Sequence, residues 1–390
     1  MAGSRLVRHL KGEIMKTKTQ TTLLASLVAA LFAGQAMALE IYNDKGWSLD
    51  ISGSVNAFYT TSKADNGERS SQIENGLLPG YFNITAATKQ KGFDVKGVIG
   101  IWPGIDSDSP ALQSATAGVG KSTVDARTNY LSFGNDKIGT FKFGRDIGLF
   151  QSNAILNDMT LIGVGGGAGL ARNINTTLGG IGAGYIYAEF QPQITYTTPD
   201  YNGFHASLGV FDNKDVDSSG TTGSHPGYQG LAEYGFKSNA VAGKAWLGFV
   251  NQHFDKLARD NATGFELGAK ADIGNIGLMA QGFTGKGIGD TILFAGGTDA
   301  AGDNRRSNGY LAQATYKIDD LKLGVSYGES RTKATSAEGS GYINRVAGTT
   351  LGAYYSLTPN LTLVGELNRR QDKVSDVDTD SVSVGAILFF

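Results

Sequence analysis

The chain of 390 residues has no cysteine, only four histidines and no long run of one charge sign. Without cysteine it has no disulfide framework, thiolate metal site or cysteine nucleophile. His9, His205, His225 and His253 lie in separate segments, no H-E-x-x-H occurs, and no nucleophile–base pair or metal centre is expected among them. Lys plus Arg (34) and Asp plus Glu (36) nearly balance, which argues against a general nucleic-acid binder. Mean hydropathy is −0.15, too low for a bundle of apolar membrane helices. Spanning strands remain possible, because they bury only alternate residues in lipid. No motif repeats at a period of roughly 20–50 residues, so a propeller or solenoid is not indicated.

What the chain does have is 56 glycines, 16 tyrosines and 19 phenylalanines, a composition suited to short twisted strands with aromatic girdles. Its start is expected to be processed. Met15-Lys16-Thr17-Lys18 is a basic region, Leu23 to Phe32 is apolar, and Ala36-Met37-Ala38 is a small-x-small cleavage signal. Residues 15–38 are therefore read as an export signal and 39–390 as the mature domain. Residues 1–14 are read as a translated leader, since Lys11-Gly12-Glu13 can be encoded by a purine-rich ribosome-binding sequence just ahead of Met15. Removing residues 1–38 takes away Arg5, Arg8, Lys11, Lys16, Lys18 and Glu13, leaving 29 basic and 35 acidic residues, net −6.

From Gly46 onward apolar and polar residues alternate in sixteen segments. Short links such as Gln90-Lys91-Gly92, Thr198-Pro199-Asp200, Gly274-Asn275 and Asp319-Asp320 alternate with long ones, every short link falling between an even segment and the next odd one. The last segment shows the pattern: Val382, Val384, Ala386, Leu388 and Phe390 share one face, Ser381, Ser383 and Gly385 the other. About 22 residues per strand and loop fits tilted spanning strands of roughly 9–11 residues. The layout predicts an all-β, 16-stranded antiparallel transmembrane barrel with short periplasmic turns and long external loops.

One region departs from this rhythm. Val124 to Gly144 reads as a tight hairpin turning at Gly134-Asn135-Asp136, with Asp125, Arg127 and Asn129 on one face and Ala126, Thr128 and Tyr130 on the other. After Gly144-Arg145-Asp146 comes the longest irregular stretch, about 146–183, with the glycine run Gly163–Gly169. A loop of that length inside a regular pattern is expected to be functional: folded into the channel and narrowing it.

Arg127-Thr128-Asn129-Tyr130-Leu131-Ser132-Phe133-Gly134 and Gly139-Thr140-Phe141-Lys142-Phe143-Gly144-Arg145, followed by the long loop, resemble the general porins of Gram-negative outer membranes. So does the final strand ending in Phe390. The resemblance implies a homotrimer in the outer membrane, among lipid and lipopolysaccharide. It also implies an inward-folded third loop, and a C-terminal strand read at Phe390 by the barrel assembly machinery. The implied activity is passive diffusion of small hydrophilic solutes and ions through a water-filled pore, with no cofactor and no catalysis. Parity puts Lys96, Arg127 and Lys142 on the inner wall, and Asp146 and Asp158 of the loop are expected to face them across the constriction. Arg145 matches the family pattern, yet simple parity sets it beside Phe141 and Phe143. Asp94, Glu189, Glu366 and Arg370 are further inner-wall candidates.

Other readings stay open at this stage. A substrate-specific channel for sugars or anions would share the architecture, with Tyr185 and Tyr187 as a stacking track. A barrel enzyme or a non-conducting structural barrel is less favoured. Acidic stretches at Asp106–Asp108 and Asp376–Asp380 match no strict calcium motif.

Overall fold

The computed structural model describes residues 38–105, 124–167, 176–214, 223–255, 260–339 and 343–390. Residues 1–37, with the expected leader and most of the export signal, and the acidic stretch 106–108 lie outside the described residues.

Among the described residues, eighteen strands follow one another. They are β1 (Leu39–Asp44), β2 (Trp47–Ala64), β3 (Arg69–Glu74), β4 (Tyr81–Gln90), β5 (Phe93–Pro103), β6 (Val124–Asn135), β7 (Gly139–Ile147), β8 (Phe190–Thr197) and β9 (Phe204–Phe211). The second half holds β10 (Gly227–Lys237), β11 (Val241–Gln252), β12 (Ala262–Ile273), β13 (Ile276–Lys286), β14 (Arg306–Ile318), β15 (Leu321–Lys333), β16 (Ile343–Ser356), β17 (Leu361–Asp372) and β18 (Val377–Phe389). Antiparallel neighbours run from β4 to β18 without a break, β2 pairs with β4, and β18 returns to β2 from Thr379↔Ala64 to Phe389↔Ser54. The result is a closed 16-stranded barrel, as the alternation predicted.

The two strands not anticipated are short and pair only with β2. The β3 strand extends the upper half of β2 beyond the point where β4 begins. The β1 strand lies on the edge of β2 that β18 also uses: Leu39 pairs with Ile51, while Phe390 exchanges both backbone hydrogen bonds with Gly53 (2.7 and 3.0 Å). The first and last strands thus share one edge, end to end.

Local chemistry sets the turns. Lys91 (φ 50°) and Gly92 (φ 82°) form a two-residue link of primed type between β4 and β5. Asn135 Oδ1 accepts from the amides of Lys137 (2.9 Å) and Ile138 (3.1 Å), closing the β6–β7 hairpin.

The outer face is apolar and open. Leu247 opposes Leu267 and Phe249 opposes Phe265 across β11 and β12, and all four are exposed. A band of this kind requires a lipid environment.

The inner face is different. Between β7 and β8, the described residues 148–167 and 176–189 turn inward and carry α1 (Ser152–Asn157), all of whose residues are buried. An apolar cluster links Tyr81 and Trp102 on one wall, through Ile155, Leu161 and Tyr185 of this segment, to Trp246, Met279 and Leu311 on the other. A second cluster packs Phe150 and Ile186 against Val250, Phe283 and Ile288. The core of the protein therefore lies inside the barrel, between the segment and the walls. The strand expected from Tyr185 begins only at Phe190: residues 185–189 belong to the inner segment, and Glu189 has φ 56° at the corner.

Candidate functional site

The inner segment is held by side chains that the barrel strands point inward. Gln229 Oε1 on β10 accepts from the amides of Leu149 and Phe150, both at 2.9 Å. Glu266 on β12 accepts from the backbone and side-chain amides of Gln151, both at 2.8 Å. On β14, Gln313 accepts from Met159 N (2.9 Å) and donates to Asn157 O (2.6 Å). On β17, Glu366 accepts from Val164 N (2.9 Å) and Gly165 N (2.8 Å) and from the Tyr354 hydroxyl (2.7 Å). Irregular backbone buried in a barrel must satisfy its amides in some such way. The glycines allow the approach: a Cβ on Gly163 would meet Glu366 Oε1 at 2.1 Å. Thus Glu366, expected on the inner wall, fastens the segment there.

Asp158 corrects an expectation. It sits 5% exposed inside the segment and does not look across a passage. Oδ1 accepts from the amide and hydroxyl of Thr160 (both 2.8 Å), and Oδ2 accepts from Tyr185 Oη (2.7 Å) and Gly180 N (3.1 Å). Burial pushes the carboxyl above its ordinary range, against four hydrogen bonds that favour the anion. Burial, then the Asp158 charge, pushes the Tyr185 phenol well up. Tyr185 therefore ties two limbs of the segment and is no part of an exposed stacking track.

Asp146 is likewise not a loop residue. It lies in β7, buried, with Oδ2 2.5 Å from Lys142 Nζ. Lys96, Ser132 and Lys142 stand in one cross-strand row, and both lysines lie over the Tyr130 ring, at 5.9 and 5.1 Å. Tyr130 is thus inward, opposite to the parity expected of it. The cause is a bulge: Gly100 pairs with Thr128, but Trp102 pairs with Asp125, so alternation slips between them. This slip brings Arg127 inside after all, 7% exposed. Its Nε lies 3.0 Å from Asp125 Oδ2, and its guanidinium sits 5.2 Å from the Trp102 ring and 5.7 Å from that of Phe190.

Arg145 follows a second break. Gly144 has φ 130°, a conformation L side chains rarely adopt, and a Cβ there would meet Asn129 O at 2.3 Å. By register Arg145 opposes Asn129 and Pro192, yet its Nε is buried and its charge acts on Tyr187 inside the barrel. Burial, above all, pushes the Tyr187 phenol up, and the Arg127 charge opposes this. Of the remaining candidates, Glu189 pairs with Lys214 (2.7 Å), Asp94 with Lys89 (3.1 Å) and Arg370 with Asp372 (4.0 Å). The fastening roles of Gln151, Gln229, Glu266 and Gln313 were missed, and nothing in their local sequence marks them.

No nucleophile elbow is expected, yet residues 324–328 read G-V-S-Y-G, its spacing. Here it lies in the regular part of β15, with Ser326 paired between Gln313 and Thr350 rather than on a strand-to-helix turn. At the other acidic stretch, Asp376 binds Lys373 (3.1 Å) and Asp378 accepts from Gln371 (3.1 Å).

A closed barrel with an apolar exterior and a long third loop fastened inside is the geometry of an outer-membrane channel. The model of the Gram-negative porin family matches residues 25–375. The chain belongs to that family. This porin is similar to outer membrane porin F of Escherichia coli O6:K15:H31 (strain 536 / UPEC), with 24% identity over 391 positions covering 94% of this chain and 99% of the relative. Among solved structures it resembles the outer membrane channel DcaP of Acinetobacter baumannii, with TM-score 0.65, 16% identity, and 90% and 99% of the two chains covered. It also resembles the anion-selective porin from Comamonas acidovorans, with TM-score 0.61, 16% identity, and 88% and 100% covered. The porin is thus an outer-membrane channel for passive diffusion of small hydrophilic solutes.

Proposed function

We propose that solutes pass beside the inner segment, along the wall formed by β5, β6 and β7, and that this passage favours anions. One observation carries the reading. Residues 148–189 contain only two carboxylates, Asp158 and Glu189, the first turned into the segment and the second paired with Lys214. The wall opposite supplies Lys96, Arg127, Lys142 and Arg145 against Asp94, Asp125 and Asp146, and Asp94 is paired with Lys89 of β4, so an excess of positive charge is left. Positive charge at the narrowest point of a pore raises the local anion concentration and lowers the barrier to anion entry.

Reversal potential in a potassium chloride gradient across a planar bilayer tests this. The sign expected is that of chloride permeating faster than potassium, with reversal of sign in Lys96→Glu/Lys142→Glu. A cation-selective parent channel would exclude the reading.

The remaining assignments rest on family membership and location: a homotrimer, contact with lipopolysaccharide, no enzymatic activity, and assembly through the C-terminal strand ending at Phe390. Conductance steps in threes would support the trimer. The signal and mature domain meet after Ala38 in this reading, and N-terminal sequencing of the outer-membrane form tests that boundary.

A further inference from the structure

At the long-loop ends of β10 and β11, two of the chain's four histidines meet one aspartate. His225 Nδ1 lies 3.0 Å from Asp255 Oδ1, and His253 Nε2 lies 3.6 Å from the same oxygen. The imidazole rings stand edge to face, centroids 4.5 Å apart, and the three ligand-type atoms lie within 4.8 Å of one another. We propose that His225, His253 and Asp255 form a binding site for a divalent transition-metal ion of the zinc type on the external rim of the barrel.

Chemistry and geometry both point there. Two imidazoles and one carboxylate are a donor set suited to zinc and its borderline neighbours, and poorly suited to calcium or magnesium, which take oxygen donors in greater number. In a tetrahedral site with bonds of about 2.0–2.1 Å, ligand atoms stand about 3.3 Å apart. The two separations from Asp255 Oδ1, 3.0 and 3.6 Å, bracket that value.

The ligands are held by a surrounding shell. Gln252, itself buried, donates through Nε2 to the carbonyls of His225 (3.3 Å) and His253 (2.8 Å), locking the two backbones together. The Ser224 amide and hydroxyl both hold Asp255 Oδ2, the hydroxyl at 3.0 Å, which leaves Oδ1 toward the histidines. Asn261 Oδ1 lies 2.7 Å from His253 Nδ1, in place to accept a hydrogen bond from it, which in the neutral ring leaves the lone pair on Nε2. That lone pair faces a carboxylate oxygen, two acceptors that a cation between them reconciles. His225 and Asp255 are exposed, so an ion enters directly from water. With three protein ligands, the remaining position is left for water or an external donor. Occupancy would join the loop entering β10 to the loop leaving β11.

The test uses the mature chain without a polyhistidine tag, folded in detergent and titrated calorimetrically with zinc chloride. One zinc per chain is expected, with affinity falling by more than about tenfold in His225→Ala/His253→Ala. Copper(II) resonance spectra of the parent should show two nitrogen ligands that the double variant lacks. Asp255→Asn, which keeps the loop's shape, should weaken zinc binding in the same direction, and heat-modifiable migration on gels checks that each variant is folded. Absence of saturable zinc binding by the parent, or binding that survives the double substitution, would overturn the proposal.

Discussion

The Tyr185 hydroxyl donates to Asp158 Oδ2 at 2.7 Å, joining two limbs of the inner segment that are 27 residues apart in sequence. Both residues are buried. Removing the donor leaves a carboxylate oxygen short of one of its partners, a loss worth about 1–3 kcal/mol. Tyr185→Phe should therefore leave the barrel folded while loosening residues 148–189. The expected signs are protease cleavage within the segment and noisier single-channel current, both absent from the parent.

Glu266 gives a graded version of the same argument. Glu266→Gln keeps one acceptor for Gln151, whereas Glu266→Ala abandons the Gln151 amide and side chain together. The alanine variant should lose more stability than the glutamine variant, by roughly 1–3 kcal/mol. Urea unfolding of the detergent-folded protein measures the order, and equal loss in both would refute the role given to the carboxylate.

Gly144 permits the turn of the wall that brings Arg145 toward the interior. Gly144→Ala combines a positive φ with a Cβ 2.3 Å from Asn129 O and 2.6 Å from Tyr130 Cα, backbone atoms that cannot move aside singly. The expected cost is on the order of 3 kcal/mol or more. A sharply reduced yield of heat-modifiable protein should result, and a normal yield with an unchanged melting temperature would count against it.

The Phe390 ring lies over Gly53, where a Cβ would meet ring carbon Cζ at 2.5 Å, and its backbone closes the seam with β2. Two roles for Phe390 can be separated. Phe390→Ala should lower the amount assembled in cells; if recognition is its main role, refolding into detergent in vitro should proceed nearly as in the parent. Equal failure in both settings would assign the residue to barrel closure alone.

The external loops should respond to acid before the barrel does. The Arg305 guanidinium, whose Nε lies 3.0 Å from Glu338 Oε2, holds the Glu338 carboxyl below its usual range, and the Thr335 hydroxyl with the Asp303 amide does the same for Asp299. For a lowered acid, the stabilisation is complete above the ordinary carboxylate range and is lost as pH falls through the folded value. Hydrogen exchange in 287–305 and 334–339 should accelerate, after correction for intrinsic rates, on going from neutral pH to below the ordinary carboxylate range. Strands β14 and β15 should stay protected, and unchanged loop exchange would remove the carboxylates from this role.

Much of the fold was legible because a barrel strand obeys a period of two. Val382, Val384, Ala386 and Leu388 declare a lipid face with no knowledge of their neighbours, and links such as Lys91-Gly92 declare their turns. The wall of the site was legible in part. Lys96 and Lys142 follow simple parity, while Arg127 arrives inside through a bulge at which two residues of β6 oppose one of β5. Tyr130 was misassigned for the same reason, since one extra residue reverses every side chain on one side of it.

Sequence alone determined the barrel, its strand number and the inward segment, because periodicity, turn chemistry and loop length are local properties; the family followed from the resemblance of residues 127–134 and 139–145 to the porins. Only the tertiary structure decided where Asp158, Asp146 and Glu366 spend their charge. Each answers a buried group far off in sequence or on the same wall: Tyr185 for Asp158, Lys142 for Asp146, the Val164 and Gly165 amides for Glu366. A carboxylate in a loop reads the same in sequence whether it faces water or four donors. Closure of the barrel around the segment removes water and makes those donors its partners.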